Sequence, residues 1–150
     1  MGRIENKVAV VTGGADGIGK ATCVRFAQEG AAVIIADVNV ELGNKTAAEI
    51  QAAGGQALFV ETDVANEASI IAMVAAGVKA FGKIHILVNN AAVFVLKGID
   101  ATVEEWRRIL DVNVIGASLV AKHVVPEIKW AGGGAIVNLG SISSFIAQPE

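Results

Sequence analysis

The stretch Lys7-Val8-Ala9-Val10-Val11-Thr12-Gly13-Gly14-Ala15-Asp16-Gly17-Ile18-Gly19 decides the fold. Its first part, 7–12, is an apolar β-branched run that reads as a buried strand. Gly13, Gly17 and Gly19 then spell G-x-x-x-G-x-G and lead into a helical pattern over 17–29. A strand-to-helix turn this tight needs glycine backbone angles. Without side chains, the turn lets a pyrophosphate approach the backbone, and the helix N-terminus supplies N–H donors and the positive end of its dipole. A lone glycine pattern is weak evidence; one that follows a strand and opens a helix is stronger. A P-loop could be drawn through Gly14 to Gly19-Lys20, but Ala21 stands where that motif needs Ser or Thr. A methyltransferase of the S-adenosylmethionine type shares a glycine turn and a later acid, but the other loops fit it poorly.

Outward from this turn, short apolar runs alternate with longer helical patterns. Strands are expected over 32–37, 56–61, 84–89 and 135–139. Helices are expected over 41–53, 67–81 and 103–130, the last as one long helix. Alternation of this kind implies parallel strands joined by right-handed crossovers. Continuous apolar strands imply a sheet covered on both faces. The expected fold is a doubly wound, Rossmann-type α/β sheet in the order 3-2-1-4-5, ending after strand five, with all of 1–150 in one dinucleotide-binding domain. In such sheets ligands bind beyond the C-terminal ends of the strands.

Asp37 ends strand two, in the place where this fold puts an acid on the adenosine ribose. A carboxylate there repels the 2′-phosphate of NADP, and Asp16 adds negative charge nearby. The competing reading of Asp37 is a turn or helix-cap residue.

Bulk properties narrow the function. Hydrophobic residues make up 53% of the 150 residues and net charge is −3; mean hydropathy is +0.56. Lys and Arg are scattered, so no basic face suits nucleic acid. No uninterrupted apolar stretch approaches the roughly 20 residues of a membrane span. The first residues carry charge where a signal peptide is apolar, and Asn6 stands where a myristoylation motif wants Ser or Thr. The single cysteine, Cys23, precludes an internal disulfide and suits a reducing cytoplasm; its apolar surroundings place it in the core. No Cys/His cluster suggests a metal.

Taken together, the loops resemble the short-chain dehydrogenase/reductase family over the whole chain. Thr12-Gly13-x-x-x-Gly17-x-Gly19 matches its cofactor motif. Asp63-Val64 after strand three matches its adenine-contacting pair, Asn89-Asn90-Ala91-Ala92 resembles its N-N-A-G, and Asn113 and Ser141 match its catalytic asparagine and serine. The resemblance implies NAD held by Gly13, Asp16, Gly17, Ile18, Gly19, Asp37, Asp63, Val64, Asn90 and Ala91. Asp63 could instead cap the next helix, as could Asn66. Asn89 is expected to brace loops and Asn90 to line the cofactor. Ala92 departs from the family's glycine, which puts the close approach there in doubt. Asn113 is implied to distort its helix and hold a relay water, Ser141 to hydrogen-bond the substrate carbonyl, with Ser143 as runner-up.

The family's proton-transferring Tyr-x-x-x-Lys pair has no counterpart, since the chain contains no tyrosine. The expectation is the N-terminal part of a longer dehydrogenase, inactive alone; a non-catalytic dinucleotide-binding module is the alternative. The implied reaction is reversible hydride transfer between NAD and an alcohol or ketone, in a cytoplasmic homo-oligomer, tetramer or dimer. An apolar rim at Val93-Phe94-Val95-Leu96 and Phe145-Ile146 hints at a hydrophobic substrate. His85, His123, Trp106 and Trp130 are expected to be structural or interface residues.

Overall fold

A computed structural model describes residues 2–142 of the chain. Ser143, Phe145 and Ile146 lie outside the described residues. Five parallel strands form one sheet in the order β3-β2-β1-β4-β5. They are β1 Val8–Thr12, β2 Ala32–Asp37, β3 Gln56–Glu61, β4 Ile86–Asn89 and β5 Ala135–Asn138. Helices α1 (Gly17–Gln28), α2 (Val40–Ala52) and α3 (Glu67–Phe81) join the first four strands. Between β4 and β5 run a short turn of 3-10 helix, Gly98–Asp100, then α4 (Val103–Leu110), a π-helical turn (Asp111–Gly116) and α5 (Ala117–Trp130).

Strand alternation sorts the core onto two faces. Val8, Val10 and Ile34 pack with Ile70 and Met73 of α3 and with Val120 and Val124 of α5. Val11, Val33 and Ile35 pack with Cys23 of α1 and with Ala47 and Ile50 of α2. Burial pushes the Cys23 thiol up to about 12, so it stays protonated and serves as a small apolar core group.

β4 begins two residues later than its apolar run. His85 is buried and takes part in the pairing with both backbone and ring: its backbone N–H donates to Val8 O at 2.8 Å, and its ring Nδ1 accepts the Val8 N–H at 3.1 Å. A side chain thus replaces a ladder acceptor at the mouth of the sheet.

β1 and, but for Asp37, β2 are buried, as continuous apolar strands imply, while all four residues of β5, at the sheet edge, are exposed. One expectation needs correction: 103–130 is not one regular α-helix. The Val112, Val114 and Ile115 side chains crowd χ1 freedom in a helix, and Asn113 and Gly116 are poor helix formers; the run gives way to the π turn. By length and composition alone Val103–Trp130 could cross a membrane; in the fold, Val120, Val124 and Ile128 of α5 are buried in the core.

Candidate functional site

One cleft of about 920 Å³ opens at the C-terminal ends of the strands. From the β2 side to the β5 side it is lined by Asp37, Asp16, Gly13, Asn90, Asn113 and Ser141, among others. The topology brings these together because β1 and β4 are neighbours at the centre of the sheet, so the loops after them face each other.

The glycine turn is built around two close approaches. Gly13 has φ +64°, and a Cβ there would lie 2.8 Å from Asn90 Nδ2. A Cβ on Gly19 would lie 1.9 Å from the Gly13 carbonyl oxygen, so only glycine lets α1 start here. Gly17 differs: its φ is +53°, and nothing lies within 4 Å of its would-be Cβ. Its bare backbone faces open space. Asp16 ends the turn in extended conformation without capping α1 through its side chain. The first-turn N–H groups therefore have no side-chain cap, the arrangement that receives an anion at a helix start.

Thr12 and Asn90 fasten this turn to β4. The buried Thr12 Oγ1 donates to Val88 O at 3.4 Å and accepts the N–H groups of Asn90 and Ala91, both at 3.1 Å. Asn90 Nδ2 donates to Thr12 O at 2.9 Å and Gly13 O at 3.0 Å. Both jobs, bracing the turn and lining the cleft, fall to Asn90. Asn89 braces a different seam, donating to Asn138 Oδ1 at 2.9 Å and to Ala117 O at 3.3 Å.

Asp37 is both a turn residue and a cleft residue. One carboxylate oxygen accepts the Ala15 N–H at 3.0 Å; the other accepts the Asn39 N–H at 2.9 Å. Asn39, not Asp37, caps α2. An ionised carboxylate has about four lone-pair sites, so capacity remains toward the cleft. Neither Lys nor Arg is among the described residues lining the cleft, while Asp16 and Asp37 are. An anion bound here would be held by backbone N–H groups and the α1 dipole rather than by a side-chain cation.

At β3, Val64 is buried and lines the cleft. Asp63 is exposed and outside the lining residues; its carboxylate accepts the Ala65 N–H at 2.9 Å, and Asn66 caps α3. At the β5 side, Asn113 clasps one residue of the loop after β4: its Oδ1 accepts the Val93 N–H at 2.8 Å, and its Nδ2 donates to Val93 O at 2.9 Å. The clasp holds Phe94, which is 78% exposed, on the cleft rim. Ala92 and Ser141 are exposed and line the same cleft. Composition gave no warning of the Thr12 hydroxyl network or of the Asn113–Val93 clasp, since each joins residues far apart in sequence.

The residues fit a dinucleotide: an uncapped helix start, a Gly17 whose bare backbone faces open space, and an acid at the next strand end. Comparison with known proteins agrees. The family model for short chain dehydrogenase matches residues 7–150. A 2,5-dichloro-2,5-cyclohexadiene-1,4-diol dehydrogenase of Sphingobium indicum is 42% identical over 93% of this chain and 56% of its own length. A cyclopentanol dehydrogenase of Comamonas sp. (strain NCIMB 9872) is 40% identical over 99% of this chain and 60% of its own. The crystal structure of an NAD+-bound xylitol dehydrogenase superposes with a TM-score of 0.92 at 34% identity, covering 98% of this chain and 57% of that one. The chain thus spans little more than half the length of these relatives.

Proposed function

The chain belongs to the short chain dehydrogenase family, and from that membership we propose that it serves reversible hydride transfer between NAD and a secondary alcohol or its ketone. The observation that carries the proposal is the single cleft joining the glycine turn and Asp37 to Asn113 and Ser141. Bound there, a nicotinamide dinucleotide supplies the hydride acceptor or donor. Gly13, Gly17, Ile18 and Gly19 hold the pyrophosphate through backbone and helix start. Asp37 accepts from the ribose hydroxyls, with Asp16 adding charge against a 2′-phosphate. Val64 meets the adenine from the cleft wall, with Asp63 reaching it from the exposed loop beside the cleft, and Asn90 and Ala91 line the middle of the cleft.

On the β5 side, Ser141 donates to the substrate oxygen as negative charge develops on it. Asn113 shapes the π turn and, through Val93, the rim; a relay water is held beside it. Phe94 and Val114 make that rim apolar. The names of the Sphingobium and Comamonas relatives, with this rim, support a cyclic secondary alcohol as the substrate class. The exposed apolar face of α4 and the π turn, with Trp106, Leu110, Val114 and Ile115 between 48% and 54% exposed, supports a homo-oligomer, dimer or tetramer, using that helix. Cytoplasmic residence is proposed from the lone protonated thiol.

A non-catalytic dinucleotide-binding module is the second reading; the glycine turn and Asp37 alone would serve it. Titration with NAD and NADP, followed by a cyclopentanol oxidation assay, tests both. The 150-residue chain should bind NAD more tightly than NADP and show no turnover, because general acid–base help worth typically 10²–10⁴-fold is missing. Failure to bind either dinucleotide would refute both readings. Cyclopentanol oxidation by these residues alone would refute the account of the chemistry.

A further inference from the structure

The buried face of α2 carries Gly43, Thr46, Ala47 and Ile50, the i, i+3, i+4, i+7 spacing of a core stripe. Three of the four are what a core wants. Thr46 is polar and only 1% exposed, so its hydroxyl must find a partner inside the protein. Helical Ser and Thr commonly bond back to the carbonyl four residues earlier. Thr22 does so to Ile18 O and Ser118 to Val114 O, each at 2.8 Å. Thr46 instead donates across 31 residues of chain, to Ala15 O at 3.0 Å.

Ala15 lies inside the glycine turn and is itself 2% exposed. Its N–H is held by Asp37 from β2, and its C=O by Thr46 from α2. The two peptide groups flanking Ala15 are thereby fixed from opposite elements. The second of them, between Ala15 and Asp16, leads directly into Asp16-Gly17, where the backbone opens to the cleft. Thr46 can reach this point because α2 lies unusually close to the sheet: a Cβ on Gly43 would fall 2.1 Å from the Phe59 ring of β3.

We infer that Thr46 is a positioning residue for pyrophosphate binding, setting the orientation of the Ala15–Gly17 backbone that receives the anion at the start of α1. The inference rests on the dinucleotide reading of the cleft. It adds α2 to a site otherwise built from strand ends and α1. Asp37 holds the preceding peptide independently, so loss of the Thr46 hydroxyl frees the Ala15–Asp16 peptide and leaves the Asp37 carboxylate in place.

The test compares Thr46→Val, nearly isosteric but without the hydroxyl, with Thr46→Ser, which keeps it. The probes are ADP-ribose, which carries the pyrophosphate, and adenosine, which does not. Binding of both is followed by NMR titration of the full chain, with thermal melting of each variant alongside. Thr46→Val should weaken ADP-ribose roughly tenfold, as for one lost hydrogen bond to a buried carbonyl, leave adenosine unchanged, and be rescued by Thr46→Ser. A role limited to stability would lower the melting temperature and move both probes together, or neither; either result overturns the inference. If the unsubstituted chain binds neither probe, the dinucleotide reading falls and this inference with it.

Discussion

Asp37 has two duties that different substitutions separate. It braces the glycine turn through Ala15, and it presents negative charge to the β2 side of the cleft, where the adenosine is proposed to lie. Asp37→Ala removes both. The Ala15 N–H is buried with its residue, so orphaning it costs about 1–3 kcal/mol. The Asn39 N–H lies at the surface and water replaces its partner. One bond therefore sets the stability loss, and at roughly 2–4 °C per kcal/mol for a chain of this size the melting temperature falls by roughly 2–12 °C. Asp37→Asn keeps a carbonyl oxygen for Ala15 and removes the charge. It should retain most of the melting temperature yet lose the discrimination against NADP, because the like-charge penalty on a 2′-phosphate disappears. Scanning fluorimetry and calorimetric titration with NAD and NADP read the two duties separately. The reasoning fails if the unsubstituted chain prefers NADP, or if Asp37→Ala changes neither melting temperature nor NAD affinity.

Gly19→Ala forces a Cβ to 1.9 Å from a backbone oxygen, so it should unfold or displace the turn. Gly17→Ala meets open space at φ +53° and should cost only about 1–2 kcal/mol of stability while weakening NAD binding; the opposite ranking in melting and titration would refute the geometry. Burial, with Lys7 and Lys83 nearby, holds the His85 pKa below its ordinary 6.5. The unfolded chain therefore takes up the proton first. His85's contribution is whole above about pH 6.5 and is lost as pH falls below it toward the folded value. Denaturant melts of the wild type and of His85→Leu should show that slope only in the wild type, and an unchanged slope in the variant assigns it elsewhere. Asn113→Ala removes both bonds to Val93 and should speed amide exchange at Val93 without speeding it at Val10; protection retained at Val93 would show that the clasp does not order the rim.

How far the sequence could be read depended on how local each cause was. Strand order, the two-faced core and the glycine turn were legible because periodicity, β-branching and glycine spacing act over a few residues. Asn66 and Asp63 were indistinguishable as caps of α3, since both types fit and only backbone geometry chooses Asn66. The π turn was half legible: Asn113 marked an anomaly inside a helical pattern, but its paired bonds to Val93, 20 residues away, were not readable. The exposure of β5 was legible from the strand order, which leaves it at the edge of the sheet with an apolar flank uncovered. Thr46 was not legible. A threonine among apolar helix residues reads as a tolerated polar group, and its partner, Ala15 O, is a backbone atom that no side-chain pattern encodes. The residues that build the cleft were thus found where chemistry is carried by side-chain type, and missed where it is carried by main-chain atoms held in place from another element. If the cleft binds anions through N–H groups, as proposed, that second class shapes the ligand's surroundings as much as the first.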